Sequence, residues 1–244
     1  MKFIFKAITA LALLAATPSA HAESQVLNFK IIDFAPQMSV PDGKPTGSWI
    51  DALNLVGEAI DIKFNFEEVP AKRLTAGLAA GEFDGSIANA SLAGVEKGGV
   101  VATSIPFMRV ILKAYSIGQD PGIRKTEDLT GKTVILNQGY VYGGRRDWIA
   151  DPKNGVTIAS DIKQVDQGLK ALVAGRAPIF LQYQENVETA LLDYKVDNLQ
   201  SSTISDVPIH IVISAARPDA KELIAKIEAG IVKLRAEGKL KKID

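Results

Sequence analysis

Cysteine is absent from the 244 residues. That leaves no disulfide, no thiolate metal site and no cysteine nucleophile, and no lipidated cysteine to tether the chain to a membrane. Histidine is nearly absent too. There are two, and His21 falls in the leader described below, leaving His210 in an apolar stretch. One histidine supports neither a Ser-His-Asp triad nor a histidine metal cluster. Charge of one sign is missing as well: 28 basic and 28 acidic side chains balance to a net +0, so no basic field exists to attract nucleic acid. No metal or cofactor is expected.

What is present begins with a leader. Lys2 and Lys6 precede an apolar run over 7–16, Thr17 and Pro18 break it, and Ala20-His21-Ala22 stands before Glu23. This is the layout of a cleavable signal peptide over 1–22, with an apolar run shorter than the roughly 20 residues a permanent span needs. Loss of two lysines takes the mature net charge to −2. The expected product is a lipid-free periplasmic protein. At 47% hydrophobic residues it can bury a substantial core.

Residues 26–33 read as a buried strand. Pro36, Pro41, Gly43 and Pro45 make a loop. Ser48 opens a helix, with Ser48 and Asp51 spaced as a capping box and Trp49, Leu53, Val56 and Ile60 at helical intervals. A strand over 62–69, a helix over 71–80 between Pro70 and Gly81, and a strand over 83–88 follow. Strand, helix, strand, helix, strand implies a parallel sheet with right-handed crossovers. The unit returns as a strand over 132–136, a helix start over 139–149, a helix over 161–174 and a strand over 177–181. Leu78-Ala-Ala-Gly-Glu-Phe and Leu172-Val-Ala-Gly-Arg-Ala lie 94 positions apart at equivalent places. Extended runs over 109–117 and 209–215 look like connections between two lobes. The expected division is 23–117 plus 208–244 for the first lobe and 118–207 for an inserted second. A terminal helix begins near Pro218 and Asp219, with Leu223, Ile227, Ile231 and Leu234 as its apolar stripe.

In open parallel sheets, ligands sit beyond the carboxyl ends of the strands, and the candidate residues are sought there. Gly131-Lys132-Thr133 imitates the end of a phosphate loop, but Thr126 stands where that motif needs glycine and a strand follows. Gly139-Tyr140-Val141-Tyr142-Gly143-Gly144 joins a strand to a helix start, where glycine admits close approach of a ligand and tyrosines offer ring and hydroxyl contacts. It reads equally as a turn with a packed tyrosine. Phe34 follows the first strand, either as one wall of a ligand slot or as a rim aromatic. Asn89, Ser91 and Lys97 follow the third strand and suit a carboxylate. Arg73, Arg145 and Arg146 sit near helix starts, where a cation opposes the dipole. That placement hints at a functional reason, with one of the arginine pair turned to solvent.

The residues Ile31-Ile-Asp-Phe-Ala-Pro36, Gly47-Ser-Trp-Ile-Asp51, Leu78-Ala-Ala-Gly-Glu-Phe-Asp84, Ser104-Ile-Pro-Phe107, Asp128-Leu-Thr-Gly-Lys132 and Ala236-Glu-Gly-Lys-Leu240 occur in an order and spacing that resembles the periplasmic solute-binding proteins of ABC importers, polar amino acid type. The resemblance implies a two-lobed α/β fold, a Venus flytrap with parallel-type sheets flanked by helices and a two-crossover hinge. It implies capture of a small polar ligand, an amino acid or small organic anion, and delivery to a membrane permease. It also shows departures. The family's carboxylate-binding arginine falls on Lys97, which keeps the charge and loses the fork. The aspartate expected after the second-lobe strand is replaced by Gln182 and Gln184, with Glu185 beyond. Pro70-Ala-Lys-Arg73 resembles a divergent branch. On this reading Phe34, Arg73, Asn89, Ser91 and Lys97 face the ligand from the first lobe, and Gly139, Tyr140, Arg145 and Gln182 from the second, in a monomer without enzymatic activity. Two rivals share the fold. One is a cyclohexadienyl dehydratase-like periplasmic enzyme with Glu185 as its acid. The other is a ligand-binding accessory of a receptor kinase or chemoreceptor.

Overall fold

A computed structural model describes residues 24–89 and 97–243. The signal peptide and Ser91 lie outside the described residues. The chain forms β1 (Gln25–Ile31), α1 (Ser48–Ile60), β2 (Ile62–Glu68), α2 (Ala71–Ala80), β3 (Gly85–Ala88), β4 (Val100–Ala102) and β5 (Met108–Ile117), followed by β6 (Thr133–Asn137), α3 (Arg145–Ala150), β7 (Thr157–Ile162), α4 (Val165–Val173), β8 (Ile179–Tyr183), α5 (Gln184–Asp193), β9 (Leu199–Ser214) and α6 (Ala220–Ala236).

One continuous sheet carries all of them, in the order β2-β1-β3-β9-β5-β8-β6-β7, with β4 also on β9. β1 pairs in parallel with β2 and β3, and β6 in parallel with β7 and β8. Each parallel trio is bordered by one antiparallel strand, β9 on β3 and β5 on β8. β5 and β9 then pair antiparallel from Met108↔Ile209 to Ile117↔Leu199. Two half-sheets of the same plan therefore meet along the two crossing strands. Their cores are separate. Leu27, Phe29, Leu53, Ile211, Ile227 and Ile231 belong to one. Leu112, Leu136, Tyr142 and Leu181 belong to the other, with Leu169 and Phe180 in a satellite cluster beside it. The terminal stripe Leu223, Ile227, Ile231 and Leu234 is buried as its spacing requires.

Four expectations need correction. Ser48 does not cap α1. Gly47 holds the cap position at φ 121° with no side-chain bond, and the Ser48 hydroxyl goes elsewhere. The helix expected over 161–174 starts at Val165, because 157–162 forms edge strand β7 with alternating burial. Ile162, Val165, Leu169 and Leu172 share a helical interval, which places the expected start four residues too early. The helix expected over 139–149 is broken: a 3-10 turn over Tyr142–Gly144 contains Gly143 at φ 65°, and α3 begins only at Arg145. The strand expected over 209–215 is the end of the 16-residue β9, whose first half alternates polar side chains against β5.

Candidate functional site

Three strand ends converge. The loop after β1 folds back on itself, with Phe34 N–H bonded to Met38 O (2.9 Å) and Gln37 N–H to Phe34 O (2.9 Å). Trp49 N–H at the start of α1 takes Gln37 O at 2.9 Å, so the loop is fixed to a helix. This sets the Phe34 ring 5.5 Å from Trp49 and 5.6 Å from Tyr183, at the end of β8. Tyr183 in turn lies 5.8 Å from Tyr140, on the loop after β6. Offset and edge-on ring pairs at such spacings are favourable beyond their buried area. The result is an aromatic wall crossing from one half of the molecule to the other.

Beneath that wall runs a chain of amides. Gln182 is fully buried. Its Nε2 donates to Asn137 Oδ1 (2.7 Å), and its Oε1 accepts from Tyr183 N–H (2.7 Å) and Asn186 Nδ2 (3.4 Å). Asn186 Nδ2 also reaches the Tyr140 hydroxyl at 3.0 Å, while its Oδ1 accepts from Gln37 Nε2 at 2.5 Å. α5 makes two further ties across the halves. The Glu185 carboxylate accepts from Ser48 Oγ (2.5 Å) and Trp49 Nε1 (3.2 Å), and Glu188 pairs with Lys241 at 2.8 Å. Glu185, the acid of the dehydratase-like rival, is thus engaged in joining the two halves.

The arginine pair divides. Arg146 donates to Asn137 O (2.8 Å) and pairs with Asp161 at 2.6 Å. Arg145 donates only to Tyr142 O, at 3.1 Å, and has no carboxylate partner among the described residues. It is a half-buried cation without an acidic partner.

Of the residues singled out from sequence, Phe34, Tyr140 and Gln182 are brought into one cluster, and Arg145 lies beside it through Tyr142. Gly139 is exposed at φ 76° with open space around it, so backbone conformation, not crowding, demands glycine there. Arg73 and Lys97 are exposed, with no described contact to the aromatic wall, and Asn89 is half-buried just after β3. Residues that sequence reasoning missed are Gln37, Asn137, Tyr183 and Asn186. A groove of about 750 Å³ lies along α1, α5 and the segment 239–243; Gln184 and Glu185 line it, but none of the residues expected to face the ligand does. A much smaller cavity of about 10 Å³ touches Phe34, Gln37 and Tyr183. The small one sits with the converging strand ends and defines the chemistry better than the large one. No group of three or more metal-ligating side chains occurs among the described residues.

Burial raises the pKa of Tyr140, Tyr142 and Tyr183, the last to about 12. The nearby Arg145 charge opposes the rise at Tyr183. The folded state therefore keeps these protons to higher pH than the unfolded chain, where tyrosine titrates near 10. Their contribution is complete below about pH 10 and is lost as pH rises through the folded values, at up to about 1.4 kcal/mol per group per pH unit. The denaturation midpoint is expected to fall above pH 10, and Tyr183→Phe to make that fall shallower. An equal slope in the variant would remove Tyr183 from the explanation.

Residues 31–244 match the family of bacterial extracellular solute-binding proteins, family 3, and the chain belongs to that family. Solved structures give the same fold. A Bacillus subtilis protein superposes with TM-score 0.65 at 16% identity, covering 90% of this chain and 93% of its own. The L-cystine solute receptor of Neisseria gonorrhoeae, in its unliganded open conformation, gives 0.58 at 19% identity over 88% and 90%. The second substrate-binding domain of Lactococcus lactis GlnP, also open, gives 0.56 at 20% identity over 90% and 97%. No curated protein sequence matches significantly. The architecture is thus the two-lobed periplasmic binding-protein fold.

Proposed function

We propose that this protein captures a small polar ligand, an amino acid or small organic anion, between its lobes and delivers it to an ABC-type importer. The observation that carries the reading is the convergence of the β1, β6 and β8 ends on one aromatic and amide surface, with the cation of Arg145 left uncommitted beside it. The Gram-negative periplasm, export through a cleaved 1–22 leader, a monomeric state and the absence of catalysis belong to the same proposal. So does the division into 23–117 plus 208–244 and 118–207. Among the proposed ligand residues, Phe34 and Tyr140 supply ring faces and Arg145 an anion contact. Arg73, Asn89, Ser91 and Lys97 approach from the first lobe when it closes, and Gly139 keeps the facing loop open. Gln182, whose amide is fully engaged, contributes by holding Asn186 in place. A ligand that bridges both lobes favours the closed form by its differential affinity for it.

The test is thermal denaturation of the purified protein against amino acids, small carboxylic acids, amines and short peptides. Binding to the folded state alone stabilises by about 2.7 kcal/mol at a hundredfold excess over Kd. One chemical class is expected to raise the melting temperature. Arg145→Ala is expected to abolish that rise with little change in the free protein. Arg146→Ala instead lowers the free protein's stability, because it strips the bonds to Asn137 and Asp161. A melting temperature indifferent to every member of the panel contradicts the reading.

A further inference from the structure

Gln37 is 3% exposed, and its Oε1 is the one buried side-chain polar atom among the described residues with no hydrogen-bond partner. Buried carbonyl oxygens rarely stay unpaired, since a lost partner costs the group its solvation. Which end of the amide is left over is not arbitrary. Tyr183 N–H can only donate, so the atom of Gln182 that meets it is the oxygen. That oxygen also faces Asn186, which therefore turns its NH₂ toward Gln182 and Tyr140 and its oxygen toward Gln37. An oxygen needs a donor, so Gln37 presents its NH₂ to Asn186 and its oxygen to the other side. A backbone N–H thus fixes the polarity of the entire relay, and its free end is an acceptor.

Gln37 also lines the cavity of about 10 Å³, together with Phe34, Trp49, Arg109, Tyr183 and Glu185, among others. That volume is close to the roughly 10–15 Å³ needed for one water molecule, and a water needs two to four polar partners. Gln37, with its unpaired Oε1, and Glu185, with its carboxylate, both line this small space and both carry acceptors. Glu185 is bonded by neutral donors, Ser48 and Trp49, and by no cation.

We propose that this cavity is a binding site for one water-sized hydrogen-bond donor held between Gln37 Oε1 and the Glu185 carboxylate. In the free protein the occupant is a water molecule, and in the loaded protein it is displaced by an N–H or O–H end of the ligand. The second half rests on the solute-binding reading above, whereas the first does not. Gln37 then selects ligands that carry a donor and discriminates against isosteres that present only acceptors there.

A crystal structure of the free protein at about 1.8 Å or better tests the first half. A water within hydrogen-bond distance of both Gln37 Oε1 and Glu185 is expected, and it should vanish in Gln37→Leu. No density there, or a Gln37 oxygen bonded to a protein donor, overturns the site. Should Gln37→Leu fail to fold, Gln37→Met serves: it keeps the side-chain length, lacks the amide oxygen, and should lose the water as well. A complex with whichever panel compound raises the melting temperature tests the second half. A ligand nitrogen or hydroxyl at the water's position is expected. Persistence of the water alongside the ligand overturns ligand recognition by Gln37 while leaving the water site standing. If no compound binds, the solute-binding reading fails on its own, and the free structure still decides the site.

Discussion

Gly47→Ala is expected to destabilise the protein by about 2–5 kcal/mol, a fall of about 5–15 °C in melting temperature for a chain of this size. Two costs coincide at this position. The backbone stands at φ 121°, which side chains with a Cβ rarely adopt, and an added Cβ would lie 2.3 Å from Gln37 O and 2.6 Å from Pro36 O. Neither neighbour can give easily, because Gln37 O also accepts from Trp49 N–H at 2.9 Å. Pushing the loop away would break the join between the β1 loop and α1 and displace Phe34 from the aromatic wall. Gly43→Ala provides the contrast. It has φ 74° but nothing within 4 Å, so it carries only the conformational cost, about 1 kcal/mol. Equal losses at the two positions, measured by chemical denaturation, would show that close approach at Gly47 does not matter.

Asn186→Leu is expected to cost about 2–4 kcal/mol, since one substitution strips partners from Gln37 Nε2, Gln182 Oε1 and the Tyr140 hydroxyl inside a low-dielectric region. Leucine is close in volume, so the loss comes from unpaired polar atoms more than from a cavity. Thr189→Ala is the contrast on the same helix. Its hydroxyl bonds Glu185 O at an exposed position, and surface changes of this kind stay within about 0.5 kcal/mol. If Asn186→Leu were as mild as Thr189→Ala, the amide relay would not be what orders the site.

Much of this fold was legible in the sequence because its elements bury one face on a regular period. Leu53 and Val56 in α1, and Leu223, Ile227 and Ile231 in α6, are buried as their spacing predicts. Pro70 and Gly81 bracket α2 as helix-end residues should. What escaped was polar. The first half of β9 pairs through its backbone with β5 and needs no apolar side chains. Only Asn186 and Val187 of α5 are buried, which leaves too thin an apolar stripe to signal a helix. The candidate cluster divides in the same way. Phe34, Tyr140 and Gln182, singled out because they follow or close expected strands, fall in the aromatic and amide cluster. Gln37 and Asn186 were not singled out, because their significance lies in a pairing between residues 149 positions apart, and no local pattern encodes it. Ser48 and Asp51 misled for the opposite reason. Their spacing fits a capping box, yet the Ser48 hydroxyl reaches Glu185, 137 positions along the chain.

The claim at the centre of this account is that the cleft between the lobes takes up a small polar solute. Isothermal titration of the purified protein with the twenty L-amino acids and a set of small carboxylic acids tests it most directly. The account predicts saturable binding of at least one compound at one site per chain, with a Kd near micromolar, about 8 kcal/mol of binding free energy, weakened at least tenfold by Arg145→Ala. Heats indistinguishable from dilution for every compound, from protein that still melts cooperatively, would contradict it.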